Sequence, residues 1–277
     1  MRLVTMRTGN GTRAGRLDGD TVTELPFDDV KAVLASGPDW AAMAARATGA
    51  TRALAGADLA PVVPRPEKII CIGQNYLKHI QEMGAEQPKY PTLFAKYTRT
   101  LIGPRDDIVL PAASDNVDWE VELAIVIGRE TRHVSEGEAL GAVAGWTVFN
   151  DVSVRDWQRR TGQFLQGKTF ERTTPVGPAL VTLDEAGDGS DLTLRCEVDG
   201  QVMQDSRTSD LLFKPAELIA YISTIITLDP GDIIATGTPS GVGAGRKPPV
   251  FLKPGQTVRA VVEGVGELVN TCVKEGA

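Results

Sequence analysis

Three acids carry the first chemical signal. In "DWEVELAIVIG", residues 118–128, Glu120 and Glu122 stand two apart at the head of an apolar run. A strand points both to one face, where like charges repel. A second segment, "GWTVFND", ends in Asp151. If the two segments lie side by side, three carboxylates converge. Burying three uncompensated carboxylates is very costly. A hard divalent cation removes that cost, because Mg²⁺ and Mn²⁺ prefer oxygen ligands. The plainer alternative leaves Glu120 in solvent and pairs Glu122 with an arginine.

Other segments offer groups that move protons or hold anions. In "NYLKHIQEMG", His79 and Glu82 are three apart and adjacent on a helix. A carboxylate beside an imidazole orients it and raises its basicity. Tyr76 lies on the same face at that spacing. An ordinary surface pair is the alternative. In "NDVSVRDWQRRTGQFLQGKTF", Arg155, Gln158 and Lys168 follow Asp151, a set suited to an anionic substrate. A solvated charged loop, with Arg159 and Arg160 as more of the same, is the alternative. "ATGTPSGVGAG" is no dinucleotide fingerprint, because the "RKPPVF" that follows cannot open a helix. Its glycines and Thr238 instead suit a loop whose N–H groups approach an anionic ligand. A tight loop without a ligand is the alternative there.

The elements that must position these groups are short and strand-rich. Asp18-Gly19 and Asp199-Gly200 mark hairpins, and Pro230-Gly231 leads into a strand. "LKPGQTVRAVVEGVGELVNT" reads as two strands broken by glycine. "FDDVKAVLAS" and "DWAAMAARATGA" read as helices. Asn75 is the expected N-cap of the His79 helix, with Gly84 as its stop. Ser135 and Glu138 have capping-box spacing, and Pro215 opens a helix with Leu218, Ile219, Ile222, Ile225 and Ile226 on one side. Many strands with few helices predict a β-rich α+β chain, a barrel or sandwich, and not an alternating parallel sheet. Residues 1–60 read as a small N-terminal α+β domain. Residues 61–68 form a proline-rich linker with Pro61, Pro64 and Pro66, and 69–277 form the main domain.

Composition narrows the function classes. The 277 residues include 29 basic and 36 acidic side chains, a formal charge of −7. That balance gives no general attraction for nucleic acid or an anionic membrane. No apolar run approaches the ~20 residues of a membrane helix. "MRLVTMRTGNGTR" lacks the uninterrupted apolar core of a secretory signal. Cys71, Cys196 and Cys272 have no metal-like spacing and read as reduced, buried thiols, so a cytoplasmic location is expected. Two histidines, His79 and His133, cannot build a multi-histidine metal site, and His133 reads as a surface residue. Trp119 and Trp146 read as core.

Taken in order, "CIGQNYLKHIQEMG", "DWEVELAIVIG", "GWTVFNDVSVRDWQ", "GKTF" with "PVGPALV", and "YISTIITLDPGDIIATGTPSGVG" resemble the fumarylacetoacetate hydrolase family across about 70–277. The resemblance implies a mixed β-sandwich roll, often behind a small N-terminal domain, and a homodimer. It implies one Mg²⁺ or Mn²⁺ per chain on Glu120, Glu122 and Asp151. It implies a water-activating His79–Glu82 dyad on a mobile lid and Lys168 as the catalytic lysine. Arg155, Gln158, Gly237, Thr238 and Tyr76 are the expected substrate contacts. "FAKYTRTLIG" and "GKTFERTTPVGP" depart from the commonest pattern of the family. Arg99, in the first of these, is expected to meet a distal substrate carboxylate.

The expected reaction is hydrolysis of a carbon–carbon bond in an acylpyruvate-type 1,3-diketo acid, with fumarylpyruvate as first substrate. His79, oriented by Glu82, would take a proton from water. The metal and Lys168 would stabilise the departing pyruvate enolate. Decarboxylation of oxaloacetate, keto–enol tautomerisation and isomerisation of a hydroxydienoate use the same enolate and are the alternatives. From another class, a module could hold a structural cation and merely bind a carboxylate ligand.

Overall fold

Turn chemistry and strand periodicity account for most of the local structure. A computed structural model describes residues 1–276. Hairpins cross Gly19-Asp20, just after Asp18 at the strand end, and Asp199-Gly200, with Gly19 and Gly200 both at positive φ. Thr257–Val262 and Gly266–Lys274 are the two glycine-broken strands. Asp29 caps the helix Val30–Leu34 by accepting from the Ala32 N–H. Ser135 and Glu138 form the capping box of Glu136–Ala139, and Pro215 sits in the first turn of Pro215–Ile225.

The strands assemble into an eleven-stranded mixed sheet and a five-stranded sheet. At the centre of the large sheet, Val121–Ile127 lies between Val143–Asn150 and Ile233–Ala235, antiparallel to both. Ile69–Gly73 runs parallel to Ile233–Ala235 and is followed by Thr92–Lys96 at the edge. The N-terminal strands Arg2–Thr8, Gly11–Asp18, Thr21–Glu24 and Thr51–Ala53 extend the other end, because Arg2–Thr8 pairs with Thr174–Val181. The 61–68 segment has no regular structure, yet Val62 and Val63 are fully buried.

Val121–Ile127 is buried along its whole length. Val121, Leu123, Ile125 and Ile127 join the core shared with the small sheet, including Leu194, Cys196, Val258 and Ala260. Ala124 and Val126 join a second core with Val33, Leu34, Phe149 and Ile233. Glu122 has the parity of Ala124 and Val126, so it stands on a strand held from both sides. Such packing restricts movement of the carboxylate. Trp119 and Trp146 are fully buried, and all three cysteines are buried and free. His133 is exposed.

Asn75 does not cap the His79 helix. That helix runs Leu77–Glu82, with Tyr76 at the cap position. The Asn75 amide donates to the carbonyls of Phe213 and Thr236 (3.1 and 2.7 Å) and accepts from the Phe213 N–H (2.8 Å). Its side chain is spent on tying the helix entrance to the segment before Gly237.

Candidate active site

Register brings the three acids together. Val121 pairs with Asn150, so the start of one strand meets the end of its neighbour. The Asp151 N–H donates to the Glu120 carbonyl at 2.9 Å, and the Asn150 side chain accepts from the Glu120 N–H at 2.9 Å. Carboxylate oxygens of Glu120, Glu122 and Asp151 lie within 4.8 Å of one another, and all three residues are buried.

Three buried cations answer these acids unevenly. Lys168 Nζ lies 2.7 Å from both Glu120 Oε2 and Asp151 Oδ2. Lys96 Nζ lies 2.7 Å from Asp151 Oδ1 and donates to the Val152 carbonyl at 3.1 Å. Arg155 reaches Glu120 Oε1 at 2.6 Å, Asp118 Oδ2 at 2.7 Å and Gln158 Oε1 at 2.9 Å. Burial pushes the Glu120 carboxyl up, but Lys168 and Arg155 outweigh it and hold it at about 2. Burial pulls Lys168 down, but Asp151 and Glu120 leave it above the ordinary lysine range. Glu122 forms no ion pair among the described residues, and its hydrogen-bond donor is the Gly237 N–H at 2.7 Å. Burial, then the Asp151 and Glu120 carboxylates, push it well above the usual range.

A divalent cation fits this donor set. The three acids offer only hard oxygen atoms, and Glu122 is a buried carboxylate with no cationic partner among the described residues. An added positive charge is what its environment calls for.

Of the triad, Glu120 lines a cleft of about 380 Å³, together with His79, Arg155, Gln158, Lys168 and Thr238 among others. Phe94, Phe164, Ile72, Met83 and Val242 add apolar wall. The size suits a small molecule. His79 Nδ1 faces Glu82 Oε2 at 3.0 Å. Glu82 also accepts from the Gly241 N–H at 2.9 and 3.2 Å. Burial raises the Glu82 carboxyl, but His79 and the Gly241 N–H bring it below its ordinary value.

Close packing sets the cation side. A Cβ on Gly167 would lie 2.5 Å from Gln158 N and 2.6 Å from its Cα. The short helices Arg155–Gln158 and Leu165–Lys168 therefore touch backbone to backbone, which places Lys168 beside Arg155.

The family model described as the C-terminal part of fumarylacetoacetate (FAA) hydrolase matches residues 68–273. The chain belongs to the fumarylacetoacetate hydrolase family. Within it, rat (Rattus norvegicus) mitochondrial oxaloacetate tautomerase Fahd2a is 50% identical over 216 residues, 78% of this chain and 69% of the rat protein. The 5-carboxymethyl-2-hydroxymuconate delta-isomerase of Mycobacterium smegmatis is 38% identical, with a TM-score of 0.82 and all of both chains covered. Maleylpyruvate hydrolase from Sphingobium sp. SYK-6, solved with manganese(II) and pyruvate, is 31% identical with a TM-score of 0.81 over 99% of each chain.

Three expected substrate contacts of this family member lie elsewhere. Tyr76 precedes the helix in extended conformation (φ −113°, ψ 128°), so helical spacing does not place it beside His79. It is fully buried in the core and does not line the cleft. Arg99 is in an exposed turn, 81% accessible and 3.8 Å from Glu171, also outside the cleft. Gly237 spends its N–H on Glu122. The glycine-rich loop does bind anions through its N–H groups, but these are the protein's own carboxylates. Gly237 serves Glu122, Gly241 serves Glu82, and Gly243 and Ala244 serve Asp118 at 2.7 and 2.9 Å. Thr238 does line the cleft, with its hydroxyl donating to the Val121 carbonyl.

Asp118, Lys96 and Gln204 were not singled out by sequence. Asp118 carried a signal, since 118, 120 and 122 share strand parity. Lys96 ends an edge strand, and nothing local distinguishes it from a solvated lysine. Gln204 accepts from the Val121 N–H and donates to Thr238, joining the small sheet to the acid strand.

Proposed function

We propose that this protein is a divalent-metal-dependent enzyme that interconverts keto and enol forms of a small 2-oxo dicarboxylic acid of the oxaloacetate type. One observation carries the reading. One small cleft is lined by Glu120 of a triad suited to a dication, by a buried ammonium and by a carboxylate-oriented imidazole. Enolisation needs these groups: charge stabilisation at an oxygen and a proton carrier at the neighbouring carbon. The similarity to oxaloacetate tautomerases supports this choice over carbon–carbon cleavage.

Glu120, Glu122 and Asp151 would hold the metal. When bound, it would supply Lewis-acid polarisation of the 2-oxo oxygen. Lys168 keeps its positive charge at the same place and adds to stabilisation of the forming enolate. Arg155 lines the cleft, and its buried NH2 has no hydrogen-bond partner among the described residues, which suits it to the substrate carboxylate. Glu82 holds Nδ1 of His79, so Nε2 takes the proton from carbon 3 and returns it in the reverse direction. The Gly241 N–H fixes Glu82 and hence the ring.

A second reading is hydrolysis of an acylpyruvate. The His79–Glu82 pair favours it, because the same orientation serves to activate water, and maleylpyruvate hydrolase has the same fold. Loss of enol absorbance, followed with Mg²⁺, Mn²⁺ or EDTA, tests both. Oxaloacetate should relax faster than the uncatalysed rate without releasing pyruvate. Pyruvate release from fumarylpyruvate or another acylpyruvate would install the hydrolase reading. A metal-dependent rise in stability with no turnover of any 2-oxo acid would leave only a binding module.

A further inference from the structure

We propose that Arg159 selects dicarboxylic over monocarboxylic substrates by pairing with the second carboxylate, the one attached to carbon 3. This deepens the reading above and rests on it for the type of substrate. Arg159 lies one turn after Arg155, its N–H donating to the Arg155 carbonyl at 3.2 Å. Residues four apart on a turn of helix are neighbours on one face. Both line the cleft, but they differ in every other respect. Arg155 is buried and held by Asp118, Glu120 and Gln158. Arg159 is exposed and forms no ion pair or side-chain hydrogen bond among the described residues.

The neighbouring charges do not compete for it. Arg160 stacks over Trp157, with its guanidinium carbon 3.5 Å from the ring centroid. Arg99, the earlier candidate for this role, lies outside the cleft. Arg159 is thus a cation on the cleft wall that no carboxylate among the described residues pairs with. Arg155 and Lys168 mark the inner end, and Phe94, Phe164 and Met83 supply apolar wall. A short chain with two carboxylates suits a cleft with a buried guanidinium, an exposed guanidinium and apolar side chains in its wall. A guanidinium suits the second carboxylate, because its planar fork can donate to both oxygens.

The test compares oxaloacetate with its 4-ethyl ester, which keeps the 2-oxo group and the proton on carbon 3 and removes the charge of the second carboxylate. Arg159→Ala should raise KM for oxaloacetate about 10- to 100-fold, the loss of one charge-assisted contact. It should leave kcat and the ester's KM close to wild type, and Arg159→Lys should recover part of the loss. Equal losses on both compounds, or no loss on oxaloacetate, would overturn the proposal. Calorimetric titration of the Mg²⁺-loaded protein with malonate and monomethyl malonate separates this from the reaction itself. If the wild type turns over neither oxaloacetate compound, the tautomerase reading fails. A preference for malonate that vanishes in Arg159→Ala still upholds Arg159, and a preference that persists in the variant, or no preference in the wild type, defeats it.

Discussion

The backbone N–H of Asp151 donates to the carbonyl of Glu120 at 2.9 Å. Two acids 31 positions apart in sequence are thereby fixed to each other through main chain, before either side chain meets a ligand. The third, Glu122, is reached by strand alternation from Glu120. A cluster built this way resists relaxing apart when its charges repel.

Glu122 should give the metal-free protein a characteristic pH dependence. Its folded value is raised above the ordinary 4.5, chiefly by burial and then by Asp151 and Glu120. The protonated carboxyl favours the folded state. That contribution is complete below the ordinary value and is lost as pH rises through the elevated one. Thermal unfolding in EDTA should therefore show stability falling with rising pH in this window. Saturating Mg²⁺ or Mn²⁺ should reverse the trend, adding about 2.7 kcal/mol at a hundredfold excess over Kd. Glu122→Gln should flatten the profile in EDTA and abolish most of the metal response. A Glu122→Gln profile that follows wild type in both conditions refutes this.

Removal of Lys168 should be far more damaging without metal than with it. Lys168→Ala leaves Glu120 and Asp151 without their shared ammonium. Breaking a buried ion pair from one side costs about 3–5 kcal/mol. Denaturant titration in EDTA should show a loss of that order, partly restored by Mg²⁺. Equal losses in both conditions would mean that Lys168 and the metal do not share the acids' charge.

His79→Ala should lower kcat by about 10²- to 10⁴-fold, the usual worth of a positioned acid–base group. Metal content by elemental analysis should be unchanged, because His79 is not one of the three converging acids. Glu120→Ala should do the opposite in the second assay and lose metal. Metal loss in His79→Ala would show that the histidine had been misplaced.

Gly167→Ala touches no proposed ligand but should disturb several. The added Cβ would meet Gln158 backbone atoms at 2.5 and 2.6 Å. Overpacking of this kind costs about 1–3 kcal/mol. The two helices must part, moving Lys168 relative to Arg155. Activity should fall with stability, whereas a fully active and equally stable variant would show that the helix contact does not set the lysine.

Much of this was legible from local sequence, for a physical reason. The hairpins that Asp18-Gly19 and Asp199-Gly200 mark turn at Gly19-Asp20 and Asp199-Gly200, and depend on backbone freedom within two residues. The shared face of Glu120 and Glu122 depends only on the period of a strand, and the Ser135–Glu138 box only on one helical turn. Spacing misled where the assumed element did not extend far enough. Tyr76 falls one residue before its helix, so its side chain turns into the core instead of toward His79's cleft.

What sequence by itself determined was the kind of chemistry: acids at strand ends, an imidazole beside a carboxylate, cations nearby, all in a recognisable family order. The tertiary structure decided which partners each group keeps. Lys168 meets Glu120 across 48 positions, and Gly237 meets Glu122 across 115. It also sent Arg99 outward and set Arg159 on the cleft wall. Such contacts arise when strands and helices remote in sequence pack against one another. Their register is set by burying both faces of the central strand, a condition that no short stretch of sequence can express.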